Sequence, residues 1–224
     1  MPSYSGVFTL QAQMQAKAAN NWPVVLPAIG SAFGGGFFAG QISTAGNGIA
    51  DYNLVVGPVA SADSSSKKYK NANTATTGAD SVIDGPQNTA DIVADGDSTV
   101  YPSAHFCNDL TIGGFSDWYM PAKNELEVCY FNLKPTASSN NTSSGINANA
   151  VPARASNYTA GTPAQTSATD FKNTGAEDFA AFYYWSSTDF SATDAWIQYF
   201  LNGNQFYISK DYSARVRAIR RVAV

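Results

Sequence analysis

Hydrophobic and polar residues alternate through the last fifty positions of the chain. This alternation predicts strands at residues 182–186, 195–201, 205–209 and 214–222. Asn202-Gly203 lies between the second and third of these segments and is a strong signal for a two-residue hairpin turn, because both residues tolerate positive φ. Residues 183–221 are therefore expected to form a β-meander. Ile197 and Leu201 are expected in the core.

Helical periodicity appears in the middle of the chain. Apolar side chains recur at i, i+3, i+4 and i+7 and predict a core-facing stripe, in a helix that Pro121 opens and Pro135 ends. That stripe consists of Leu126, Cys129, Tyr130 and Leu133. An earlier helix is expected with Ser98 or Thr99 as its cap, Pro102 in its opening turn and a buried edge of Ala104, Cys107 and Leu110.

The N-terminal half divides into a short lead-in and the start of the main domain. Residues 7–20 predict a short amphipathic helix, so residues 1–30 are interpreted as an anchoring or oligomerisation segment and 31–224 as the domain. Residues 34–42 and 52–56 predict a hairpin with an open edge. Residues 60–97 and 136–177 are small and polar, which favours two long surface loops or insertions. Ile83 and Ile92 are the expected anchors of the first loop.

Composition narrows the classes of partner. Charged residues make up 13% of the 224 and the formal net charge is −4, which disfavours nucleic-acid binding. No apolar run is long enough to span a bilayer, so no membrane insertion is expected. The N-terminus also lacks the pattern of a secretory signal. The chain is therefore expected in the cytoplasm or on a route such as a virus released by lysis.

Two strings of the sequence resemble a known family. These are GGFSDWYMPAKNEL at 113–126 and YYWSSTDFSATDAWIQYFLNGNQFYISKDYSARVRAIRR at 183–221. Together they resemble the C-terminal domain of collagen-like bacterial adhesins, which recurs in phage tail and fibre proteins and is similar to the C-type-lectin-like fold of formylglycine-generating enzymes. The resemblance implies an α+β, C-type-lectin-like fold with two helices packed on a twisted antiparallel sheet.

The resemblance also implies a virion protein at a phage tail or fibre that contacts a host surface protein or glycan. Other virion proteins would bind the N-terminal segment, and a homo-oligomer, with a trimer as the expected form, would multiply the affinity. Aromatic and amide side chains of the meander have the composition of a binding surface. The predicted ligand-binding residues are Asp189, Phe190, Trp196, Gln198, Asn204, Gln205, Tyr207, Lys210, Asp211 and Tyr212.

Catalytic and metal chemistry find little support in the sequence. The single histidine, His105, has no G-x-S-x-G partner motif, so no catalytic residue is assigned. Cys107 and Cys129 are expected as two buried thiols, with a bridge between them as the alternative. No cofactor or metal is assigned, although Asp91, Asp95 and Asp97 leave a calcium site open.

Arg217 is expected to be partly buried and paired with Asp117 or Glu125, while Trp118 packs between helix and sheet.

Three functions compete. The first is a receptor-binding fibre-tip adhesin without enzymatic activity. The second is a structural virion component, such as a capsid decoration or baseplate protein. The third is an oxidase of the formylglycine-generating type, which the cysteine placement disfavours.

Overall fold

The computed structural model describes residues 25–224, so the helix predicted at residues 7–20 lies outside the described part. The described chain has an α+β architecture, as the sequence predicts. It contains four helices and ten strands: β1 (Ala32–Phe33), β2 (Gly36–Ile42), β3 (Tyr52–Val56), α1 (Val59–Ala62), β4 (Asp63–Lys68), α2 (Gly85–Asp95), α3 (Pro102–Asn108), α4 (Lys123–Leu133), β5 (Ala150–Val151), β6 (Tyr183–Asp189), β7 (Asp194–Tyr199), β8 (Gln205–Ser209), β9 (Ser213–Arg217) and β10 (Ile219–Ala223).

The strands form two five-stranded sheets. The first has the order β1-β2-β3-β10, with β5 beside β2, and the second has the order β4-β9-β6-β7-β8. All strand pairs are antiparallel except β6 with β9, which run parallel through Tyr184 and Arg215. This arrangement is compatible with a C-type-lectin-like fold, but it has two sheets where one was expected.

The terminal strands correct the prediction of a single meander. Only β6, β7 and β8 form one, while β9 returns between β4 and β6. The segment 214–222 is not one strand, because it breaks at Ala218, whose carbonyl accepts from Gly57 N at 2.9 Å. β10 then enters the first sheet and pairs with β3, Ile219 opposite Val56. One short segment therefore joins both sheets.

The β7–β8 connection is also longer than the predicted two-residue turn. β7 ends at Tyr199 and β8 begins at Gln205, with Tyr199 N donating to Asn204 O at 2.9 Å. Gly203 has the expected positive φ of 76°. Asn202 does not adopt positive φ, so a type I′ hairpin does not form. Phe200 is buried inside this loop.

The N-terminal hairpin forms as predicted by β2 and β3. Its expected open edge does not exist, because β10 pairs with β3 while β1 and β5 pair with β2. Gly36 permits the close approach of the two strands. A Cβ atom at this position would lie 2.3 Å from Val56 O.

The polar segment 60–97 is not a loop excursion. It contains α1, β4 and α2, and Ile92 is buried while Ile83 packs against the core, as expected of anchors. Asp84 caps α2 by accepting from Gln87 N, and a proline lies in the first turn. By contrast, the segment 136–177 is largely irregular as predicted, although Tyr158 and Phe171 from it enter the core.

The two predicted helices are present with shifted starts. α3 opens at Pro102 as expected, but Tyr101 is its N-cap, and Thr99 bonds Asp97 instead. α4 begins at Lys123 rather than Pro121. Its predicted stripe is confirmed, since every member is at most 1% exposed: Leu126, Cys129, Tyr130 and Leu133.

The core consists of two hydrophobic clusters, and the two cysteines lie in different ones. Cys129 belongs to the cluster beneath β2 and α4, and Cys107 to the cluster around Trp118 and Trp185. Both thiols are free and buried, which confirms the prediction of two separate thiols. Burial raises the pKa of both.

The C-terminal arginines pair with carboxylates rather than forming a free basic surface. The prediction for Arg217 is wrong: its partner is Glu177, because Arg220 takes Asp117 and Arg221 takes Glu125. Arg215 completes the set with Asp63. The expected burial of Trp118 is confirmed. Within residues 25–224, no helix combines the length and the apolar character needed to cross a membrane.

Candidate functional site

Three aromatic side chains of the β6–β8 meander meet at the surface. Phe190 follows β6, Trp196 lies on β7 and Tyr207 on β8, and we call these three residues the aromatic patch. The rings of Phe190 and Tyr207 stack with centroids 3.5 Å apart at 7°, while Trp196 meets Phe190 and Tyr207 edge-on at 5.4 and 5.8 Å. Phe190 is 46% exposed and Tyr207 48% exposed. Such rings offer contact area at low entropic cost.

Local backbone geometry holds these rings together. Trp196 and Tyr207 are direct cross-strand neighbours on β7 and β8. Phe190 lies in the loop between β6 and β7, where its N–H donates to Asp194 O at 3.0 Å and the Ser191 hydroxyl donates to the Asp194 carboxylate at 2.9 Å. A tight hydrogen-bonded loop therefore places Phe190 against Tyr207 before any ligand arrives.

Lys123 adds a cation beside the patch. Its ammonium lies 4.0 Å from the centre of the Trp196 ring. α4 and the meander orient it together, because Lys123 N donates to Thr188 Oγ1 at 3.0 Å and Lys123 O accepts from Gln205 Nε2 at 3.2 Å. Burial lowers the pKa of Lys123. Sequence reasoning missed this residue, since only the fold brings 123 beside 196.

Two of the predicted ligand-binding residues lie beneath the surface, where they cannot contact a ligand directly. Gln198 is buried and donates to Gly203 O at 3.4 Å. Lys210 is buried and forms an ion pair of 2.7 Å with Asp189. Gln198 lies on β7, where the β7–β8 loop covers it at Gly203, and Lys210 lies in the turn after β8, where strand alternation makes no prediction.

Asp189 supports the patch rather than extending it. Its side chain is mostly buried, and burial raises its pKa, while the hydrogen bond from Lys210 lowers it. Lys210 also donates to Ala192 O at 3.2 Å and to Thr76 Oγ1 at 3.1 Å. This buried pair therefore ties the loop that carries Phe190 to the segment around Thr76.

The remaining predicted residues lie at the two ends of β8. Asn204 and Gln205 are half-buried and contact Ser144, whose hydroxyl accepts from Gln205 N at 3.0 Å and lies 3.4 Å from Asn204 Oδ1. Asp211 and Tyr212 are exposed in the turn after β8. The structure thus brings Phe190, Trp196 and Tyr207 together and places the rest around or beneath them.

A second aromatic group covers the opposite face of the meander. Tyr183 and Tyr199 are 4.4 Å apart, and Phe206 meets Tyr183 edge-on at 5.6 Å. Phe182 at its border is 50% exposed. Along their strands, Tyr199 and Phe206 occupy positions of opposite parity to Trp196 and Tyr207, and this parity could have indicated a second aromatic group on the other face.

A shallow groove of about 320 Å³ lies on the irregular segment, over Phe131, Arg154 and Tyr158. Beneath it, the buried carboxylate of Glu127 accepts from Arg154 Nε at 3.0 Å, Tyr158 OH at 2.5 Å and Asn147 Nδ2 at 2.6 Å. Arg154 bonds the Glu127 carboxylate through Nε and one Nη, so the two opposite charges neutralise each other beneath the groove.

The residues considered for catalysis or metal binding have structural partners. His105 Nε2 lies 2.8 Å from Gly96 O. Asp95 accepts from the Tyr101 hydroxyl, Asp97 accepts from Thr99 N at 2.9 Å, and Asp91 accepts from Gln87 Nε2 at 2.8 Å. In the described part of the chain, no group of three or more His, Cys, Asp or Glu side chains could hold a metal ion.

Comparison with known proteins identifies the family. Residues 70–220 match the Lcl C-terminal domain, and this match includes α2 to α4, the meander and most of the last two strands. No curated protein shows significant similarity to this chain. The family match indicates an adhesin-like C-terminal domain and covers more than half of the 224 residues. The chain therefore belongs to the Lcl C-terminal domain family.

Proposed function

We propose that this chain is a non-enzymatic recognition module that binds a protein or glycan on a host cell surface through the aromatic patch. The observation that carries the proposal is the preformed arrangement of Phe190, Trp196 and Tyr207, with two of the rings about half exposed. Contiguous exposed apolar patches mark interaction sites, and aromatic residues at the centre of an interface supply much of its binding energy. An adhesin-like family is consistent with this role.

The biological setting of the module is a phage virion, at the tail or the tip of a tail fibre. This part of the proposal rests on the resemblance of residues 113–126 and 183–221 to domains of phage fibre proteins. The N-terminal segment would attach the module to other virion proteins, and several copies on one particle would raise the avidity. Binding is direct and needs no cofactor.

The rigid patch also supports recognition without large rearrangement. The loop that carries Phe190 is hydrogen-bonded to Asp194, and Lys210 with Asp189 supports it from below. Ordering costs on binding are therefore small. Truncation of a central aromatic residue of such a surface costs about 2 kcal/mol or more, which corresponds to roughly a thirtyfold loss of affinity.

The first experiment measures binding of the labelled full chain to a panel of intact bacterial strains by flow cytometry. We expect saturable binding to some strains and at least a tenfold loss of affinity, about 1.4 kcal/mol, in Phe190→Ala and Trp196→Ala. Phe182→Ala is the matched control, because Phe182 is equally exposed but lies outside the patch. Equal binding by all variants would refute the role of the patch.

A second experiment tests the setting in the virion. Antibody to the chain should label fibre tips in electron micrographs of the particle, and exchange of residues 189–213 should change the host range. Labelling of the capsid shell would instead favour a structural decoration protein, and absence of the chain from particles would remove the virion from the proposal while leaving surface binding testable.

A further inference from the structure

The sequence contains Asn followed by Gly at two places, and each lies in a connection between two strands. Asn47-Gly48 lies between β2 and β3, and Asn202-Gly203 lies between β7 and β8. Glycine has no Cβ, so its backbone nitrogen is sterically open to the side chain of the preceding asparagine. Attack by that nitrogen on the asparagine Cγ closes a succinimide ring and expels ammonia. In a folded chain, the step requires that the peptide group between the two residues can turn toward the side chain.

The peptide group between Asn202 and Gly203 is held at both ends. Gly203 N donates to Tyr199 O at 2.7 Å. On the other side, Asn202 O accepts from Asn141 N at 2.8 Å. Gly203 is buried, and a Cβ atom there would lie 2.3 Å from the Tyr130 ring. Rotation of this peptide group would therefore break two hydrogen bonds inside the fold, which is costly.

The peptide group between Asn47 and Gly48 is free by comparison. Within residues 25–224, neither the Asn47 carbonyl nor the Gly48 N–H has a hydrogen-bond partner. Both residues are exposed, and a Cβ atom at Gly48 would meet nothing within 4 Å beyond its chain neighbours. The Gly48 nitrogen can therefore approach the Asn47 side chain without the loss of a hydrogen bond and without a steric clash.

Two donors meet the side-chain oxygen of Asn47. Ser43 Oγ donates to Asn47 Oδ1 at 2.8 Å, and Ile49 N donates to the same atom at 3.0 Å. Because a backbone N–H can only donate, the Ile49 bond assigns this atom as the oxygen of the carboxamide. Attack on Cγ converts the oxygen into an oxyanion, so both donors stabilise the charge that develops. In the described chain, Asn202 Oδ1 accepts only from Asn204 N, at 3.1 Å.

We propose that Asn47 is a site of spontaneous covalent modification, at which the β2–β3 connection itself supplies the reacting groups. Gly48 N loses its proton to solvent and bonds to Asn47 Cγ. The bond from Cγ to Nδ2 breaks, and the nitrogen takes up a proton and leaves as ammonia. Water then adds to one of the two ring carbonyls and opens the succinimide, at Cγ to give aspartate or at the backbone carbonyl to give isoaspartate. The fold protects Asn202 from the same reaction.

The two products differ in their effect on the β2–β3 connection. The aspartate form can keep the donors Ser43 Oγ and Ile49 N, because Asn47 bonds both through its oxygen alone. In the isoaspartate form, the main chain runs through the side-chain methylene, so the connection is longer and its turn changes. Either product adds one negative charge to the formal −4 of the chain. The modification therefore produces, with time, copies of the protein that differ in charge and in loop structure.

The first test follows both Asn-Gly sites in the same molecules. The full chain is incubated in neutral buffer, and peptide mapping by mass spectrometry resolves the asparagine, aspartate and isoaspartate forms of each site over time. In the folded chain, Asn47 should react at least about tenfold faster than Asn202. In urea, where the fold is lost, the two rates should be similar. Equal rates in the folded chain, or the same ratio in folded and unfolded chains, would overturn the proposal.

The second test removes one donor to the oxyanion. Loss of one such donor slows an enzymatic reaction about a hundredfold or more, and in this exposed loop Ser43→Ala should slow the reaction at Asn47 about tenfold. Thr44→Ala is the matched control, because the Thr44 hydroxyl donates to Asp51 at 2.6 Å in the same connection and makes no hydrogen bond to Asn47. The control should leave the rate at Asn47 unchanged.

The rate at Asn202 reports whether each variant is folded, since unfolding would release that site and speed its reaction. With Asn202 still slow, a Ser43→Ala rate equal to or above the wild-type rate would overturn the proposal. Equal slowing by Ser43→Ala and Thr44→Ala would also overturn it, because the effect would then come from the order of the loop and not from the donor. None of these measurements depends on recognition through the aromatic patch.

Discussion

Replacing Arg217 by alanine should strongly destabilise the protein. The Arg217 side chain is fully buried on β9 and forms four hydrogen bonds. Its Nε donates to Gly57 O at 2.9 Å, and its two Nη groups donate to Glu177 O, Asp178 O and Glu177 Oε2 at 3.0 to 3.1 Å. The guanidinium also lies 4.7 Å from the centre of the Phe179 ring. One side chain therefore joins β9 to the segments around Gly57 and Glu177.

The magnitude follows from what the substitution leaves behind. Removal of one member of a buried ion pair costs about 3–5 kcal/mol, because the remaining charge stays buried. The Glu177 side chain is 17% exposed and also accepts from Val59 N at 2.7 Å, which reduces this penalty. Three carbonyls lose a donor, although water entering the vacated space can replace part of it. We expect a loss of about 4 kcal/mol.

The assays are urea unfolding, which gives the free energy of unfolding from midpoint and slope, and thermal unfolding, which gives Tm, both followed by circular dichroism. A loss of about 4 kcal/mol should lower Tm by roughly 8–16 °C in a chain of this size. Arg220→Ala is the control, because its partner Asp117 is 55% exposed, and about 1 kcal/mol is expected there. A loss for Arg217→Ala no larger than that for Arg220→Ala would refute the reasoning.

Two further predictions concern pH and backbone strain. Hydrogen bonds from Arg220 hold the pKa of Asp117 below its usual value, so the ionised carboxylate stabilises the fold above the unfolded pKa of about 3.9 and this contribution is lost as pH falls through the folded pKa. Asp117→Asn should therefore be less stable than the wild type at pH 7, and the difference in free energy of unfolding should shrink below pH 4. A difference that stays constant in urea titrations at several pH values would contradict this. Gly203→Ala should lower the free energy of unfolding by about 1–3 kcal/mol, because φ at Gly203 is 76° and a Cβ would lie 2.3 Å from the Tyr130 ring. Gly161 has open space around it, so the control Gly161→Ala should change the melting temperature little.

The elements that sequence reasoning recovered are those with strong local signals. The stripe of α4 repeats at helical spacing, and β7 and β8 alternate, so both appear where the pattern predicts them. β4 was missed because DSSSKK has little intrinsic preference for a strand. It becomes one because β9 provides hydrogen-bonding partners along its length, which is a tertiary effect.

The candidate site was predictable in part for a similar reason. Phe190, Trp196 and Tyr207 were among the ligand-binding residues predicted from the composition of the meander, and the structure brings them into one cluster. Gln198 and Lys210 are buried because the β7–β8 loop and the segment around Thr76 cover them, and no local sequence pattern indicates that cover. Lys123 and the partners of the arginines depend on contacts between distant segments, which no local pattern contains.

The pairing of β10 with β3 has a consequence for how the protein acquires its structure. The first sheet is complete only when Ile219 reaches Val56, across almost the whole described chain. Contacts between such distant residues slow folding, because the chain entropy of a large loop is lost before the contact forms. During synthesis, the edge of β3 that pairs with β10 would remain unpaired until β10 has left the ribosome. This interval is the stage at which the nascent chain is most exposed to aggregation.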